Sequence, residues 1–293
     1  TPPLQTHRRV RIERLMRLLV ECLPEMTGVE ADIPRTLSDL LLCAGDARRW
    51  IDSVVNEVGA RMGVRPDNVP WSMDDNADAD AALEMSAMPT EGENATLRIS
   101  TSTLSDPLRS FVTIAHHIAA QRLMDESFTG DGEDFADAIE LATIGYGYGV
   151  LQSDACLYFQ NWSDAVTSGF EASRFGRLSA QEIGYAMALL ARRMGIRQPV
   201  WLRDLRTDAR VTAKQALDYF AGLERRNRPL LFDADRIPAQ ESTATALVGW
   251  IAGDDPSFAY AALRRLTEMD GFDRPVVAAL MKATRSRDAD VAP

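Results

Sequence analysis

The sequence has few of the residues on which disulfide frameworks, metal sites and nucleophilic catalysis depend. Only three of its 293 residues are histidines and only three are cysteines. Cys22, Cys43 and Cys156 are odd in number and widely spaced. They therefore predict reduced thiols in the cytoplasm rather than disulfides. No GxSxG motif is present, and so few histidines leave few general bases for a serine or cysteine nucleophile.

Long apolar runs and a positive net charge are also missing. No run reaches the ~18 apolar residues of a membrane-spanning helix. The basic start, His7 to Arg9, leads into Glu13 and Arg14 rather than into an apolar core, so we expect no signal peptide. The formal net charge of −11 argues against a general binder of nucleic acid or of anionic membranes. We therefore expect a cytoplasmic protein with no nucleic-acid or membrane partner.

One stretch in the middle of the chain has strong helix signals. Asp106 is a capping residue, and Pro107 stands at the first helical position, where its missing N–H costs nothing. Leu108, Phe111 and Ala115 then recur at helical spacing. The pattern predicts a helix over 106–124 with one buried face.

Two of the three histidines lie in the second half of this helix, in the run His116-His117-Ile118-Ala119-Ala120. The run resembles the HExxH helix of bacterial zinc metallopeptidases. The resemblance implies a zincin-like fold, with His116 as the first zinc ligand. His117 stands in place of the general-base Glu, and Ala120 in place of the second His, so one ligand and the base are missing.

The departure from the motif predicts a vestigial site that has lost its zinc. His116 and His117 remain the only candidate ligands on the helix, yet neighbouring residues lie about 100° apart around a helix and do not easily chelate one ion. Two ordinary helix histidines are the preferred interpretation. A relocated metal site that uses His117 with Gln121, one turn further on, is the alternative.

An acidic helix is predicted from Glu133 onward. Glu133, Asp137 and Glu140 lie at i, i+4 and i+7 and form one carboxylate face. We interpret this face as solvated surface, with a vestigial metal site as the alternative. The resemblance implies a third ligand Glu near here, in a slot that aligns with Ala136, or with Asp137 if the alignment shifts by one residue.

Several other segments have local structural signals. Helices are predicted over about 7–24 and about 44–63, the second ended by Gly63. Alternation of Leu97 and Ile99 with polar residues predicts a strand within 95–103. Three more patterns concern turns and helix starts: the alternating glycines of 145–149 predict close helix contacts or a helix break, Ser179 to Glu182 is a capping box, and Thr212 to Gln215 opens a further helix.

The chain divides into three parts in this interpretation. Residues 1–30 form an N-terminal helix, and residues 31–235 form the zincin-like domain, whose 140–186 region also resembles the family. Residues 242–293 resemble a HEAT repeat and the start of another, and such repeats bury their faces only against neighbours. The predicted class is α+β, predominantly helical, with a small sheet and a HEAT-like helical tail.

The preferred function is that of a catalytically inactive metallopeptidase-like protein that binds or scaffolds another protein. The expected contact with this unidentified protein partner is the C-terminal tail, and no cofactor is expected. The alternative is a metal-dependent hydrolase or peptidase with a non-standard or relocated metal site.

Overall fold

The computed structural model describes residues 3–28, 46–74, 96–100, 104, 106–128, 132–163 and 168–226, together with isolated positions 247, 262, 277, 278 and 281. The α-helices in these ranges are α1 (Thr6–Cys22), α2 (Ala47–Met62), α3 (Pro107–Asp125), α4 (Gly132–Thr143), α5 (Gly149–Ala155), α6 (Ala180–Arg193) and α7 (Thr207–Arg225). The strands are β1 (Trp71–Asp74), β2 (Leu97–Ser100), β3 (Leu157–Ser163) and β4 (Ser168–Arg174). The described chain is thus predominantly helical with little sheet, as predicted. The HEAT-like tail of 242–293 lies outside the described residues apart from the five isolated positions.

The helix signals read from the sequence are present in the structure. The Asp106 side chain accepts hydrogen bonds from the backbone N–H groups of Leu108 and Arg109, both at 3.1 Å, and α3 begins at Pro107. Helix α2 ends at Gly63, whose φ of +70° is the left-handed conformation that glycine adopts at helix ends. Each signal is local, so it fixes the end of a helix without help from distant residues.

Two small sheets flank the helices. The predicted strand is confirmed as β2, with Leu97 and Ile99 buried and Arg98 exposed, but its parallel partner β1 was not predicted. Strands β3 and β4 form an antiparallel hairpin, paired from Leu157–Arg174 to Ser163–Ser168, which was also missed. Strand pairing is set by the partner strand, so one segment alone predicts it poorly.

The glycines of 145–149 do both things expected of them. Residues 144–148 form a π-helical turn, and Gly147 has a φ of +99°, which breaks the regular helix between α4 and α5. A Cβ on Gly145 would lie 2.7 Å from Met26 Sδ, and one on Gly149 would lie 2.7 Å from Met187 Sδ. The missing side chains therefore allow two segments, the turn Pro24–Gly28 after α1 and helix α6, to approach this region closely.

Helices α6 and α7 pack against each other at very short range. The capping box that starts α6 is confirmed, with the Ser179 side chain accepting from Glu182 N and the Glu182 carboxylate accepting from Ser179 N. A Cβ on Gly184 would lie 2.1 Å from the carbonyl oxygen of Ala209. Helix α7 starts at Thr207 rather than at Thr212, because Thr212 is buried against α6 and its capping-box pattern falls inside the helix.

Helix α1 belongs to the same core as the rest of the described chain, although it carries charges on its inner side. Arg9 is 1% exposed and Glu13 is fully buried, and their side chains approach to 3.5 Å. Arg9 also donates to the Tyr219 hydroxyl at 3.0 Å, and Tyr185 donates to Glu13. The buried pair is therefore completed by hydroxyls from α6 and α7. No helix in the described ranges is long and apolar enough to cross a membrane.

The close contact between α6 and α7 gives the first prediction. Gly184→Ala places a methyl group against the backbone of Ala209, which cannot rotate away. We expect the free energy of unfolding to fall by about 1–3 kcal/mol. Urea unfolding followed by circular dichroism measures it.

Gly222→Ala is the matched control, because a Cβ at this position meets nothing within 4 Å. The substitution replaces a flexible glycine in α7, so it should stabilise the protein by about 0.5–1 kcal/mol. Equal stability of Gly184→Ala and the wild type would contradict the contact.

Candidate functional site

The candidate site lies where α3, α4 and α5 meet the loop after β4. On α3, Phe111, Ala115 and Ile118 are fully buried, and His116 is partly buried on the side that faces α5 and this loop. The His116 ring stacks on Phe175, with ring centroids 6.2 Å apart and an interplanar angle of 17°. His116 thus points into the protein rather than into bulk solvent.

His116 is held in its neutral form at physiological pH. Burial lowers the pKa of His116 to about 4, although the neighbouring Gln152 side chain acts in the opposite direction. The Gln152 side chain is itself 2% exposed. Its Oε1 and His116 Nε2 are both buried, and neither has a hydrogen-bond partner in the described structure. A neutral imidazole is the form in which histidine accepts a proton or binds a metal.

Glu140 is the acidic member of the site. Its carboxylate accepts the backbone N–H of Arg177, the backbone N–H of Leu178 at 3.0 Å, and the Gln152 amide at 3.1 Å. The loop closes tightly over it, since Gly176 has a φ of +79° and a Cβ there would lie 3.0 Å from Glu140 Oε1. Burial raises the pKa of Glu140 to about 7, although the two backbone hydrogen bonds act to lower it.

Gln152 therefore lies beside a neutral histidine on α3 and donates to a carboxyl group on α4 that titrates near neutrality. Both His116 and Glu140 are of types that ligate metals. Within the described ranges, however, no group of three or more His, Cys, Asp and Glu side chains is placed to hold a metal ion. Glu140 is able to take up or release a proton near neutral pH, and its hydrogen bonds order the loop around Gly176.

The carboxylate face of α4 is not the solvated surface that we expected. Asp137 is 2% exposed and Glu140 is 4% exposed, and only Glu133 faces solvent. Asp137 pairs with Arg11 at 3.0 Å and with Arg177 at 2.8 Å. The expectation was wrong because Asp137 meets arginines of α1 and of the loop after β4, and Glu140 meets the backbone of the same loop, all far away in the sequence.

The other predicted positions do not assemble with His116. Ala120 is 4% exposed and contributes a methyl group to the core. His117 and Ala136 are partly buried. Gln121 donates to Asp125 at 3.0 Å along the same helix. The structure thus places Gln152 beside both His116 and Glu140, whereas Asp137 and Glu133 pair with Arg11 and Arg177.

Sequence reasoning missed three participants. Gln152 follows the glycine-rich turn and has no motif of its own. Arg177 lies in the 140–186 region and Arg11 in the helix predicted over about 7–24, but neither has a pattern that singles it out. A buried carboxylate needs a partner, so asking which arginines could serve Asp137 is the signal that would have pointed to them.

Comparison of the chain with protein-family models, with curated proteins and with solved structures gives no match.

The site generates a prediction about pH. Between about pH 5 and 6.5 an unfolded chain carries protonated His116 and ionised Glu140, each near its ordinary pKa. The folded chain holds both residues neutral in this range. Unfolding then exchanges no net proton at this pair, so the two contributions to the pH dependence of stability cancel.

Single substitutions should reveal the two contributions to the pH dependence of the free energy of unfolding, because their slopes have opposite signs. In His116→Phe only Glu140 remains, its folded pKa is raised, and the free energy of unfolding should fall as pH rises, by at most about 1.4 kcal/mol per pH unit. In Glu140→Gln only His116 remains, its folded pKa is lowered, and stability should rise with pH by a similar amount. Urea unfolding at several pH values measures both slopes. His7→Gln, at an exposed position, should follow the wild type. Parallel curves for all four proteins would contradict the buried pair.

Proposed function

We propose that the chain is a catalytically inactive, metallopeptidase-like protein that acts by binding another protein. The observation that carries the proposal is that the side chains of the motif region are engaged within the protein itself. Glu140 accepts three hydrogen bonds, two of them from a loop backbone that closes against its oxygens. A metal ion at this carboxylate would have to displace donors that are fixed by the fold.

The remaining positions of the motif support the same proposal. The Asp137 carboxylate has two arginine partners within 3.0 Å, Arg11 and Arg177. The methyl group of Ala120 lies in the core, where the family motif has its second histidine. A peptidase needs a water that a carboxylate can activate next to the metal. His117, which stands at that position, is a base of a different shape and reach.

The C-terminal tail supports the part of the proposal that concerns binding. Val277 is 44% exposed and Met281 is 54% exposed, and both positions are helical. Exposed large apolar side chains favour contact with another protein over contact with water.

A metal-dependent hydrolase with a non-standard site is the second candidate. It is favoured by the chemistry of one pair, a neutral imidazole at His116 and a carboxyl group at Glu140, with Gln152 beside both. A movement of the Gly176 loop that releases Glu140 would give the pair a free carboxylate. The two candidates differ in whether the protein holds zinc.

Metal content separates the two candidates. Full-length protein purified without chelators should contain no stoichiometric zinc by elemental analysis. Its melting temperature should be unchanged by EDTA, because no folding free energy comes from a metal. A His116→Phe variant is the matched control and should behave like the wild type in both assays. One zinc per wild-type chain, lost in His116→Phe and accompanied by a lower melting temperature with EDTA, would replace the first candidate with the second.

Binding through the tail has its own test. Val277→Asp with Met281→Asp places a charge at each of these two exposed apolar positions. If they contact a partner, a complex co-purified with the wild type should dissociate at least tenfold more readily, about 1.4 kcal/mol. Ser53→Asp with Ala60→Asp, at two exposed positions of α2, is the control for nonspecific charge effects. Surface plasmon resonance with the co-purified protein measures dissociation, and equal rates for the tail variant and the wild type would contradict a tail contact.

A further inference from the structure

A second feature of the body combines positive charge with exposed aliphatic side chains. The basic–aliphatic surface, as we call it, comprises the outward side chains of the 3₁₀ helix Val200–Arg203 and of the first two turns of α7. Val200 is 53% exposed and Val211 is 49% exposed. The basic residues in and beside it are Arg197, Arg203, Arg206, Arg210 and Lys214.

The two segments form one continuous surface. On α7, Arg210, Val211 and Lys214 follow Thr207 at i+3, i+4 and i+7 and share its face. In a 3₁₀ helix, residues three apart are eclipsed, so Val200 and Arg203 share a side. Arg210 joins the segments, because its Nη1 donates to the Arg203 carbonyl oxygen at 3.3 Å.

The surface keeps a positive charge on a chain whose net charge is −11. Within 197–214, five basic residues (197, 203, 206, 210 and 214) face two acidic ones, Asp204 and Asp208; Asp154 beside Arg206 and Asp218 one turn after Lys214 bring the local balance to +1. Asp204 and Asp208 are both paired within the segment, the first with Arg203 at 3.5 Å and the second with Arg206 at 3.9 Å. In the part of the chain that the structure describes, Arg210 has only uncharged acceptors, at Arg203 and Thr207.

This surface is held rigidly from beneath. Trp201 and Leu205 are each 3% exposed and anchor the 3₁₀ helix and the turn after it. Ala209 is fully buried, and its carbonyl lies against Gly184 of α6. Binding to such a surface costs little ordering of the backbone, which favours its use as a docking site.

We propose that the basic–aliphatic surface binds an acidic segment of a partner protein. Carboxylates of the segment would meet Arg203, Arg210 and Lys214, and its aliphatic side chains would cover Val200 and Val211. The charge of the surface is complementary to an acidic ligand. The two valines favour a peptide over a nucleic acid, because a sugar–phosphate backbone has no aliphatic side chains to pack against them. The inference rests on the proposed role in protein binding, but it does not depend on the tail.

Fluorescence anisotropy with the full-length chain tests the proposal. The probe is a fluorescein-labelled peptide of about 16 residues with Glu and Leu on opposite sides at helical spacing. Two companion peptides replace every Glu by Gln or every Leu by Ser. We expect the Glu/Leu peptide to bind more tightly than either companion, and binding to weaken between about 50 and 300 mM NaCl.

Two variants then locate the contact. Arg203→Gln with Arg210→Gln and Lys214→Gln should weaken binding about tenfold (about 1.4 kcal/mol) and reduce its salt dependence. Val200→Ser with Val211→Ser should weaken binding with the salt dependence unchanged. The control is Arg48→Gln with Arg65→Gln, which removes exposed charges elsewhere and should leave binding within twofold of the wild type. Circular dichroism verifies that all variants are folded.

Three outcomes would overturn the inference. One is the absence of binding by the Glu/Leu peptide, and another is equal weakening by the control variant. The third is tighter binding of a single-stranded RNA of similar charge, which would assign the surface to nucleic acid. None of these outcomes changes the zinc content or the tail contact, so a failure here is distinguishable from a failure of the proposed function.

Discussion

A charge that is buried must meet a partner, and this requirement organises the packing of α1, α4, α6 and the loop after β4. Two carboxylates of α4 are almost completely buried, and so is the Arg9–Glu13 pair of α1. Removing one partner of such a group leaves a charge in a medium that solvates it poorly, at a cost of about 3–5 kcal/mol. The arrangement of α1 across α4 is therefore fixed by its arginines as well as by its apolar face.

The same requirement explains the condition of the candidate site. Glu140 is surrounded by donors, yet burial raises the pKa of its carboxyl group to about 7, so about half of it is protonated near neutral pH. Burial also lowers the pKa of His116, which is therefore neutral. In both residues burial disfavours the charged form at the place where helices α3, α4 and α5 meet. The helix that resembles a metallopeptidase motif thus serves the fold directly.

Features with local signals were predictable from the sequence, and features set by distant partners were not. The start of α3 at Asp106 and Pro107 follows from capping chemistry within a few residues. The burial of Asp137 depends on Arg11, which lies on another helix more than a hundred residues earlier, so the pattern of acids alone resembled a solvated face. The start of α7 was misplaced because a buried threonine inside a helix has the same sequence pattern as a cap.

The contacts of α1 have a consequence for the order in which the chain folds. Its side chains meet residues far along the chain: Glu13 is 172 positions from Tyr185, and Arg9 is 210 positions from Tyr219. Contacts of such separation form late, because they require the closure of most of the chain into one loop. During synthesis α1 leaves the ribosome long before α6 and α7 exist. Arg9 and Glu13, which are buried in the folded protein, are then still in water. Helix α1 is made before α6 and α7, so its contacts with Tyr185 and Tyr219 form only when the segment through α7 has emerged.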